Sequence, residues 1–363
     1  MHVAIISPYS MSRPGGVQEH ARGLAKQLCS LGHQVTLFGP ELRGAQPDLN
    51  GVATVSLGGA VNIPANGSIA PLALDPRMIV RFDLGLDPAD VIHLHEPFLP
   101  AGLGALLRKP DHTAVVGTFH ANADGFWPYA LTAPLLRRAA RRIDATTAVS
   151  PAARRLVRRY VAVDPEIVPN GVDVAAFERA EPDAWAKGLG GTVVVFLGRA
   201  EPRKGFAIAA RAFAEVAQAR PDVHLIAAGV EADALPADVK PERIHCVGWV
   251  QADRRNALLR AADVCVFPSL AGESFGVVVV EGLAAGSAVV ASDIPGYRFA
   301  GGDAAVYAEA GNVEAWRDAI ARLVDDTDER ARLGARGPER ARGFDWSRVA
   351  DATLAVYEKA MAS

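Results

Sequence analysis

HVAIISPYSMSRPGGVQEHARGLAKQLCSLGHQVTLFG, residues 2–39, places a short β-branched run, a glycine turn, an amphipathic stretch and a second β-branched run in succession. Between the two runs, Val17, Ala21, Leu24, Ala25, Leu28 and Leu31 recur at three- and four-residue steps, the core-facing stripe of a helix that Gly32 stops. The same alternation returns in DVIHLH (90–95), TAVVGTF (113–119), ATTAVS (145–150), TVVVFLG (192–198), VHLIAAG (223–229), RIHCVG (243–248), VCVFPS (264–269) and SAVVAS (287–292). Continuous apolar strands separated by helices predict a parallel sheet covered on both faces, so the fold class is α/β and doubly wound.

A chain of 363 residues exceeds what one core usually supports, and two Rossmann-like domains facing a central cleft are expected. The stretch 168–191, with Pro169, Asn170, Gly171, Pro182, Gly188, Gly190 and Gly191, breaks the rhythm before a new series starts at Thr192. The expected division is an acceptor-binding domain over 1–170, a sugar-nucleotide-binding domain over 171–344, and a helix over 345–363 that returns to the first domain. That helix follows Gly343 and carries Ala350, Leu354 and Tyr357 on one face.

Half the residues are apolar and 22% are charged, the balance of a soluble globular enzyme. Cys29, Cys246 and Cys265 lie too far apart for a zinc site or a disulfide framework, which points to a reducing cytoplasm. No apolar run is long enough for a membrane span, and the first one is too short for a signal peptide. The net charge of −3 is uneven: residues 1–180 hold 17 Lys+Arg against 15 Asp+Glu. The basic excess gathers at Arg137, Arg138, Arg141 and Arg142, then at Arg154, Arg155, Arg158 and Arg159. These arginines form either a solvated face or a patch for an anionic membrane. No nucleic-acid partner is expected.

Four places carry candidate chemistry. Pro14-Gly15-Gly16-Val17 opens the first helix, where backbone N–H groups suit an anion, although glycines also serve tight turns without any ligand. It is not G-x-G-x-x-G, and the second strand ends Leu37-Phe38-Gly39-Pro40 without an acidic ribose reader, so a nicotinamide oxidoreductase is disfavoured. Arg199 and Lys204, in Gly198-Arg199-Ala200-Glu201-Pro202-Arg203-Lys204-Gly205, fall near a strand's carboxyl edge and suit a diphosphate leaving group; the bland reading is two surface bases beside a turn. Gly272-Glu273-Ser274-Phe275-Gly276 leads through the valines 277–280 to Glu281. If both glutamates shared one helix, eight residues would place them about two turns apart on nearly one face. An acidic helix cap explains Glu273 but not Glu281, and sugar hydroxyls would satisfy a second buried carboxylate. Finally His93, His95 and Glu96 end one strand and His120 another. Hydroxyl binding suits them better than metal binding, and no Asp-x-Asp motif asks for a divalent ion.

Taken together, the turn at Gly15-Gly16, the segment from Gly198-Arg199 to Lys204-Gly205 and the Glu273/Glu281 pair resemble the family 4 retaining glycosyltransferases of the GT-B fold, over essentially the whole chain. Ile167-Val168-Pro169-Asn170-Gly171-Val172-Asp173 and Phe344-Asp345-Trp346 are similar family landmarks. Pro8-Tyr9, Pro14-Gly15-Gly16-Val17-Gln18, Pro64 with Asn66-Gly67-Ser68, and His93-Leu94-His95-Glu96-Pro97 most resemble the bacterial phosphatidylinositol mannosyltransferases.

The resemblance implies transfer of a hexose, mannose from GDP-mannose, to an anionic inositol lipid, with retention and with no cofactor or metal required. It implies His120, Arg199, Lys204 and Glu273 as catalytic residues. Gly16, Arg199, Lys204, Val250, Glu273, Ser274, Phe275, Gly276, Val277 and Glu281 would hold the donor, and Tyr9, Gly15, Gln18, Asn66 and Ser68 the acceptor. The expected location is the cytoplasm, or the inner face of the plasma membrane as a peripheral protein. Closure about 169–191 would exclude water.

Two departures keep alternatives open. Pro71 stands where a basic residue would hold the lipid phosphate, and Asp75-Pro76-Arg77-Met78-Ile79-Val80-Arg81 is less basic than the membrane-binding segment of those enzymes. Val250-Gln251-Ala252-Asp253 has alanine where an acid would read guanine. A UDP- or ADP-sugar transferase with a soluble acceptor therefore stands as the alternative, with a non-catalytic sugar-nucleotide-binding module behind it.

Overall fold

The computed structural model describes residues 1–12, 15–42, 49, 51–65, 68–81, 86, 88–121 and 127–363, without the side chains of 64–65, 68–69, 80–81 and 127–130. The chain forms two units, Met1–Gly171 with Trp346–Ser363, and Val172–Asp345.

The first unit carries β1 (His2–Ile6), β2 (Gln34–Gly39), β3 (Ala53–Ser56), β4 (Val61–Ala65), β5 (Ser68–Leu72), β6 (Val91–His95), β7 (Ala114–Phe119), β8 (Ala145–Ala148) and β9 (Glu166–Ile167). Seven of them form a sheet in the order β3-β2-β1-β6-β7-β8-β9, with every pair parallel. Alternation along β1 explains why both faces are covered. Val3 and Ile5 pack with Ala21, Leu24 and Leu28 of the helix Gly16–Ser30 and with Val349, Val356 and Tyr357 of the helix Trp346–Met361. Ala4 and Ile6 pack on the opposite side with Ala101 and Ala105 of the helix Pro100–Arg108.

Two expectations need correction here. Leu31 is not part of the first helix's buried stripe: it lies beyond the helix end and is 47% exposed, while Gln18 and His20 are buried. Nor is every strand in a parallel sheet, because β4 and β5 form a separate antiparallel ribbon. Its prolines, Pro64 and Pro71, are what hid it, since proline argues against strand assignments except at edges.

The second unit carries β10 (Thr192–Leu197), β11 (Val223–Ala228), β12 (Ile244–Gly248), β13 (Val264–Phe267), β14 (Ala288–Ser292) and β15 (Ala305–Ala308). They form an all-parallel sheet in the order β12-β11-β10-β13-β14-β15, the strand order of a dinucleotide-fold sheet. Val194 and Phe196 pack against Phe206 and Phe213 of the helix Phe206–Ala219 and against Trp316 and Ile320 of the helix Val313–Asp325. In each sheet the connection reverses direction beside the first strand, between β1 and β6 and between β10 and β13. Open α/β sheets bind ligands outside the carboxyl ends of strands at such reversals. Among the described residues no helix is long and apolar enough to cross a membrane.

Candidate active site

At the reversal in the second unit, β10 runs out through Gly198 and Arg199 into a 3-10 turn, Pro202–Lys204, closed by Gly205. Gly205 has φ +72, and a Cβ there would fall 1.9 Å from the Pro268 carbonyl oxygen, so only glycine lets this turn lie against the end of β13. The turn thereby aims two cations at one carboxylate. Lys204 Nζ lies 2.6 Å and Arg203 Nη1 2.8 Å from Glu273 Oε1. Glu201 ties the set together, accepting from Arg203 Nε at 3.1 Å and pairing with Arg199 Nη1 at 2.9 Å. Burial alone would raise the Glu273 carboxyl, but the charges of Lys204 and Arg203 outweigh it and hold the group below its ordinary range. Three cations face two carboxylates, which leaves positive charge for an anion.

Glu273 is not on the helix. The helix Val277–Ala284 starts only after Gly276, whose φ of +100 is closed to side chains and whose Cβ would meet the Tyr297 ring at 2.6 Å. The two-turn spacing to Glu281 therefore does not apply; the loop, held over Gly296 and Tyr297, sets where Glu273 sits. Tyr297 is buried and shares a hydrogen bond of 2.7 Å with Ser269. Glu281 is buried on that helix and pairs with Arg255 Nη1 at 3.1 Å. Arg255 belongs to the helix Ala252–Ala261, directly after Val250 and Gln251.

At the reversal in the first unit, four histidines gather under the carboxyl ends of β6 and β7. His93, His95, His120 and His20 are all buried. His95 Nδ1 faces His120 Nε2 at 2.8 Å, so one ring donates and the other accepts. His93 stacks on His95 and holds Tyr357 Oη at 2.7 Å and Thr118 Oγ1 at 2.6 Å. Burial pushes His20 down to about 4 and, with the neighbouring His20, His93 down to about 3; His95 and His120 are also held well below the ordinary range, by burial first and then by neighbouring histidines, His93, His120 and His20 for His95 and His20 and His93 for His120. All four rings are therefore neutral at pH 7. Glu96 sits at φ 51, an unusual conformation for its type, and its Oε1 accepts from the backbone N–H groups of His120 and Ala121 at 2.8 Å each. Glu96 thus fixes the loop that carries His120.

Tyr9 lies beside this group. Burial of its hydroxyl, aided by the charge of Glu96, raises the phenol. Its backbone bridges Leu72, and Ser10 N–H donates to the Pro71 carbonyl at 2.9 Å, which brings β5 alongside. Gln18 folds over Gly15, where a Cβ would come within 2.4 Å of its amide oxygen.

Residues 14–176 match the family model described as Glycosyltransferase Family 4, and residues 191–326 match that of Glycosyl transferases group 1. A phosphatidyl-myo-inositol mannosyltransferase of Mycolicibacterium smegmatis is 36% identical over 99% of this chain and 94% of its own. The chain belongs to the family 4 retaining glycosyltransferases. A D-inositol 3-phosphate glycosyltransferase of Kineococcus radiotolerans is 28% identical over 99% of this chain and 94% of its own. A solved glycosyltransferase from Rickettsia africae superposes with a TM-score of 0.79 at 17% identity, covering 99% of this chain and 98% of that one; the fold is GT-B.

In this glycosyltransferase, Arg199, Lys204 and Glu273 come together in one unit, with Glu281 on the following helix. Ser274 and Val277 are partly exposed on either side of Gly276, and Val250 is partly exposed after β12. Phe275 is different: its ring is buried against Phe299 and Phe344, so only its backbone is left for a ligand. In the first unit His120, Tyr9, Gln18, Gly15 and Gly16 cluster about the ends of β1, β6 and β7. Asn66 and Pro14 lie outside the described residues, as does the Ser68 side chain, although Ser68 itself begins β5.

Sequence reasoning missed Arg203, Arg255 and His20. Arg203 carries no signal that separates it from its neighbours. His20 does: together with Gln18 it puts polar residues on the buried side of a helix that opens with two glycines. With His20 the structure also redraws the metal question, because His20, His95 and His120, and not His93, offer nitrogens within 4.8 Å of one another.

Proposed function

We propose that this glycosyltransferase moves mannose from GDP-mannose to a hydroxyl of an inositol lipid such as phosphatidylinositol, at the inner face of the membrane and without a metal ion. The observation that carries the reading is the convergence of Lys204 and Arg203 on Glu273 at the carboxyl end of β10, within reach of Arg199. The acceptor class is supported by the name of the 36% identical mycobacterial relative.

The chemistry follows from the charges. The bond from the sugar's C1 to the diphosphate breaks while the acceptor oxygen bonds to C1 on the same face, and the acceptor's proton passes to a departing phosphate oxygen. Fixed cations stabilise the developing diphosphate charge more than the intact donor, which lowers the barrier. Arg199 and Lys204 serve that purpose. Glu273 holds the sugar ring, Glu281 the ribose, and the backbone of 274–277 with Gly16 and Val250 completes the donor contacts. His120, kept neutral by burial, donates to or accepts from a sugar hydroxyl without adding a competing charge. Tyr9, Gly15, Gln18, Asn66 and Ser68 take the acceptor. His95 and His120 already share a proton at 2.8 Å, which supports hydroxyl binding over a metal ion. Chelation with EDTA should leave turnover unchanged, and a loss restored by zinc would overturn the metal-free reading.

The deciding experiment is a thermal-shift panel against GDP, UDP, ADP and NAD, each also as sugar nucleotide where one exists, because ligands that bind the folded state raise Tm. Stabilisation by GDP and GDP-mannose, followed by mannose transfer to phosphatidylinositol, is the expected result. A second reading, a UDP- or ADP-sugar transferase acting on a soluble inositol phosphate, is favoured by Ala252 at the start of its helix and by the name of the 28% identical relative. Selective stabilisation by UDP or ADP would establish it in place of the first.

A further inference from the structure

The ends of β11 and β12 are zipped together. Gly229 N–H donates to the Gly248 carbonyl at 2.7 Å, and Gly248 N–H donates to the Val230 carbonyl at 2.9 Å. Val230 is fully buried, and a Cβ on Gly229 would fall 2.4 Å from the Gly198 carbonyl oxygen, so the turn is also held against the residue that precedes Arg199. Glu231 comes next, exposed, just ahead of the 3-10 turn Ala232–Ala234. Its carboxylate folds over Gly248: a Cβ there would fall 2.4 Å from Oε1 and 3.0 Å from Oε2.

A carboxylate placed so firmly has nothing to hold. Among the described residues the Glu231 side chain has no hydrogen-bond or ion-pair partner. The arginines on either side of β12 are committed elsewhere, Arg243 to the carbonyls of Ala217 and Arg220, Arg254 to Asp183 and Arg255 to Glu281.

Its position gives the carboxylate a task. Gly248 is followed by Trp249 and Val250, then by the helix Ala252–Ala261 that carries Arg255, the partner of Glu281. With the ribose at Glu281, the attached base comes to this carboxyl edge of the sheet. Trp249 is 70% exposed and offers an apolar surface for stacking. Guanine presents two adjacent N–H donors, at N1 and N2, and the two oxygens of one carboxylate accept both. Uracil presents a single N–H between two carbonyl oxygens, which a carboxylate repels, and adenine presents an acceptor at N1. The helix start has Ala252, without an acid for this purpose, but Glu231 reaches the same edge from the neighbouring strand.

We propose that Glu231 is the residue that selects guanine in the donor, its carboxylate accepting from N1–H and from the 2-amino group. The inference rests on the GDP-mannose reading above and names the side chain that enforces it. It also removes the argument that Ala252 makes for a UDP- or ADP-sugar.

The test is calorimetric titration of the full chain with GDP, IDP, UDP and ADP at one salt concentration. IDP differs from GDP only in lacking the 2-amino group, so it isolates one of the two hydrogen bonds. The wild type should bind GDP about tenfold or more tighter than IDP, as expected for a hydrogen bond to a charged group. Glu231→Ala and Glu231→Gln should each raise the Kd for GDP about tenfold or more and bring the GDP-to-IDP ratio close to one. UDP should bind these variants as well as it binds the wild type, or better. Both variants should melt as the wild type does, since the changed side chain is exposed and has no partner to lose. A wild type that prefers GDP, with variants that keep its GDP-to-IDP ratio, overturns the role of Glu231 and leaves the GDP reading standing. Variants that weaken all four nucleotides alike do the same, because a merely structural residue would act that way. A wild type that does not prefer GDP to UDP and ADP overturns both.

Discussion

Lys204 Nζ lies 2.6 Å from Glu273 Oε1, although 69 positions separate the two residues in the chain. In the proposed donor site the phosphate would meet the lysine and a sugar hydroxyl the glutamate, so both partners would be engaged at once. The residues proposed for separate tasks are therefore one electrostatic unit. Lys204→Ala should lower kcat/KM by about a hundredfold or more while the circular dichroism spectrum stays unchanged. Near-normal turnover would remove Lys204 from the reaction. Because the two residues touch, Lys204→Ala and Glu273→Gln should combine less than additively in a double-mutant cycle.

The same pair predicts an acid-side loss of stability. Glu273 is held below its ordinary value near 4.5, so the unfolded state takes up the proton first as pH falls. Its contribution is complete above about pH 4.5 and disappears as pH falls through the folded value. The stability gap between wild type and Glu273→Gln, about 1–3 kcal/mol for a partly buried pair, should accordingly be full at neutral pH and close on acidification. Urea titrations of both proteins across this range measure it, and a gap independent of pH would contradict the pairing.

A separate pH effect comes from the first unit, at milder acidity. His20 is depressed to about 4 and His93 to about 3 by burial, against an ordinary value of 6.5. Below pH 6.5 the unfolded chain binds protons that the folded rings refuse, so stability falls as pH drops from 6.5 toward 4. Each ring adds a slope of at most about 1.4 kcal/mol per pH unit. Melting at successive pH values should show the wild type losing several degrees between pH 7 and 5, with a shallower slope in His20→Phe; equal slopes would mean that His20 protonates freely in the fold.

Arg255 offers a test that separates stability from binding. Its loss leaves Glu281 buried without that partner, so Arg255→Ala should destabilise the protein by about 1–3 kcal/mol. If Glu281 takes the ribose, the donor should raise the Tm of this variant more than that of the wild type. Glu281→Ala should raise the donor KM about tenfold with little change in kcat. An unchanged KM would take Glu281 out of the donor site.

Gly276→Ala meets two obstacles, a φ of +100 and a contact of 2.6 Å with Tyr297. A cost of about 2–4 kcal/mol in a denaturant melt is expected. The variant should also bind donor poorly, because this residue starts the helix that carries Glu281. Donor affinity equal to the wild type's would show that the turn is not part of the binding surface.

What could be read from the chain divides along a physical line. β-branched runs separated by amphipathic stretches report local periodicity, and β1, β2, β6, β7 and the strands of the second sheet follow from it. The β4–β5 ribbon does not: with Pro64 and Pro71 in its two strands it looks like loop, and it exists because its partner pairing and the bridge to Tyr9 hold it. Placing Glu273 and Glu281 on one helix failed for a similar reason. Gly276 looks as compatible with a helix interior as with a break until Tyr297 packs against it. The sequence also singled out Arg199 and Lys204 and passed over Arg203, yet Arg203 reaches Glu273 while Arg199 is half exposed and pairs with Glu201. Adjacent cations on a turn are indistinguishable until its handedness is known.

The helix Trp346–Met361 has one more consequence, for the order of synthesis. It covers Val3 and Ile5 and supplies the hydroxyl on His93, yet it leaves the ribosome only after all of Val172–Asp345. While the second unit is being made, the face of β1 that carries Val3 and Ile5 is covered by the helix Gly16–Ser30 without its second helix. The second unit can mature on the ribosome as a contiguous segment, whereas the first completes its core only after Trp346–Met361 has been made.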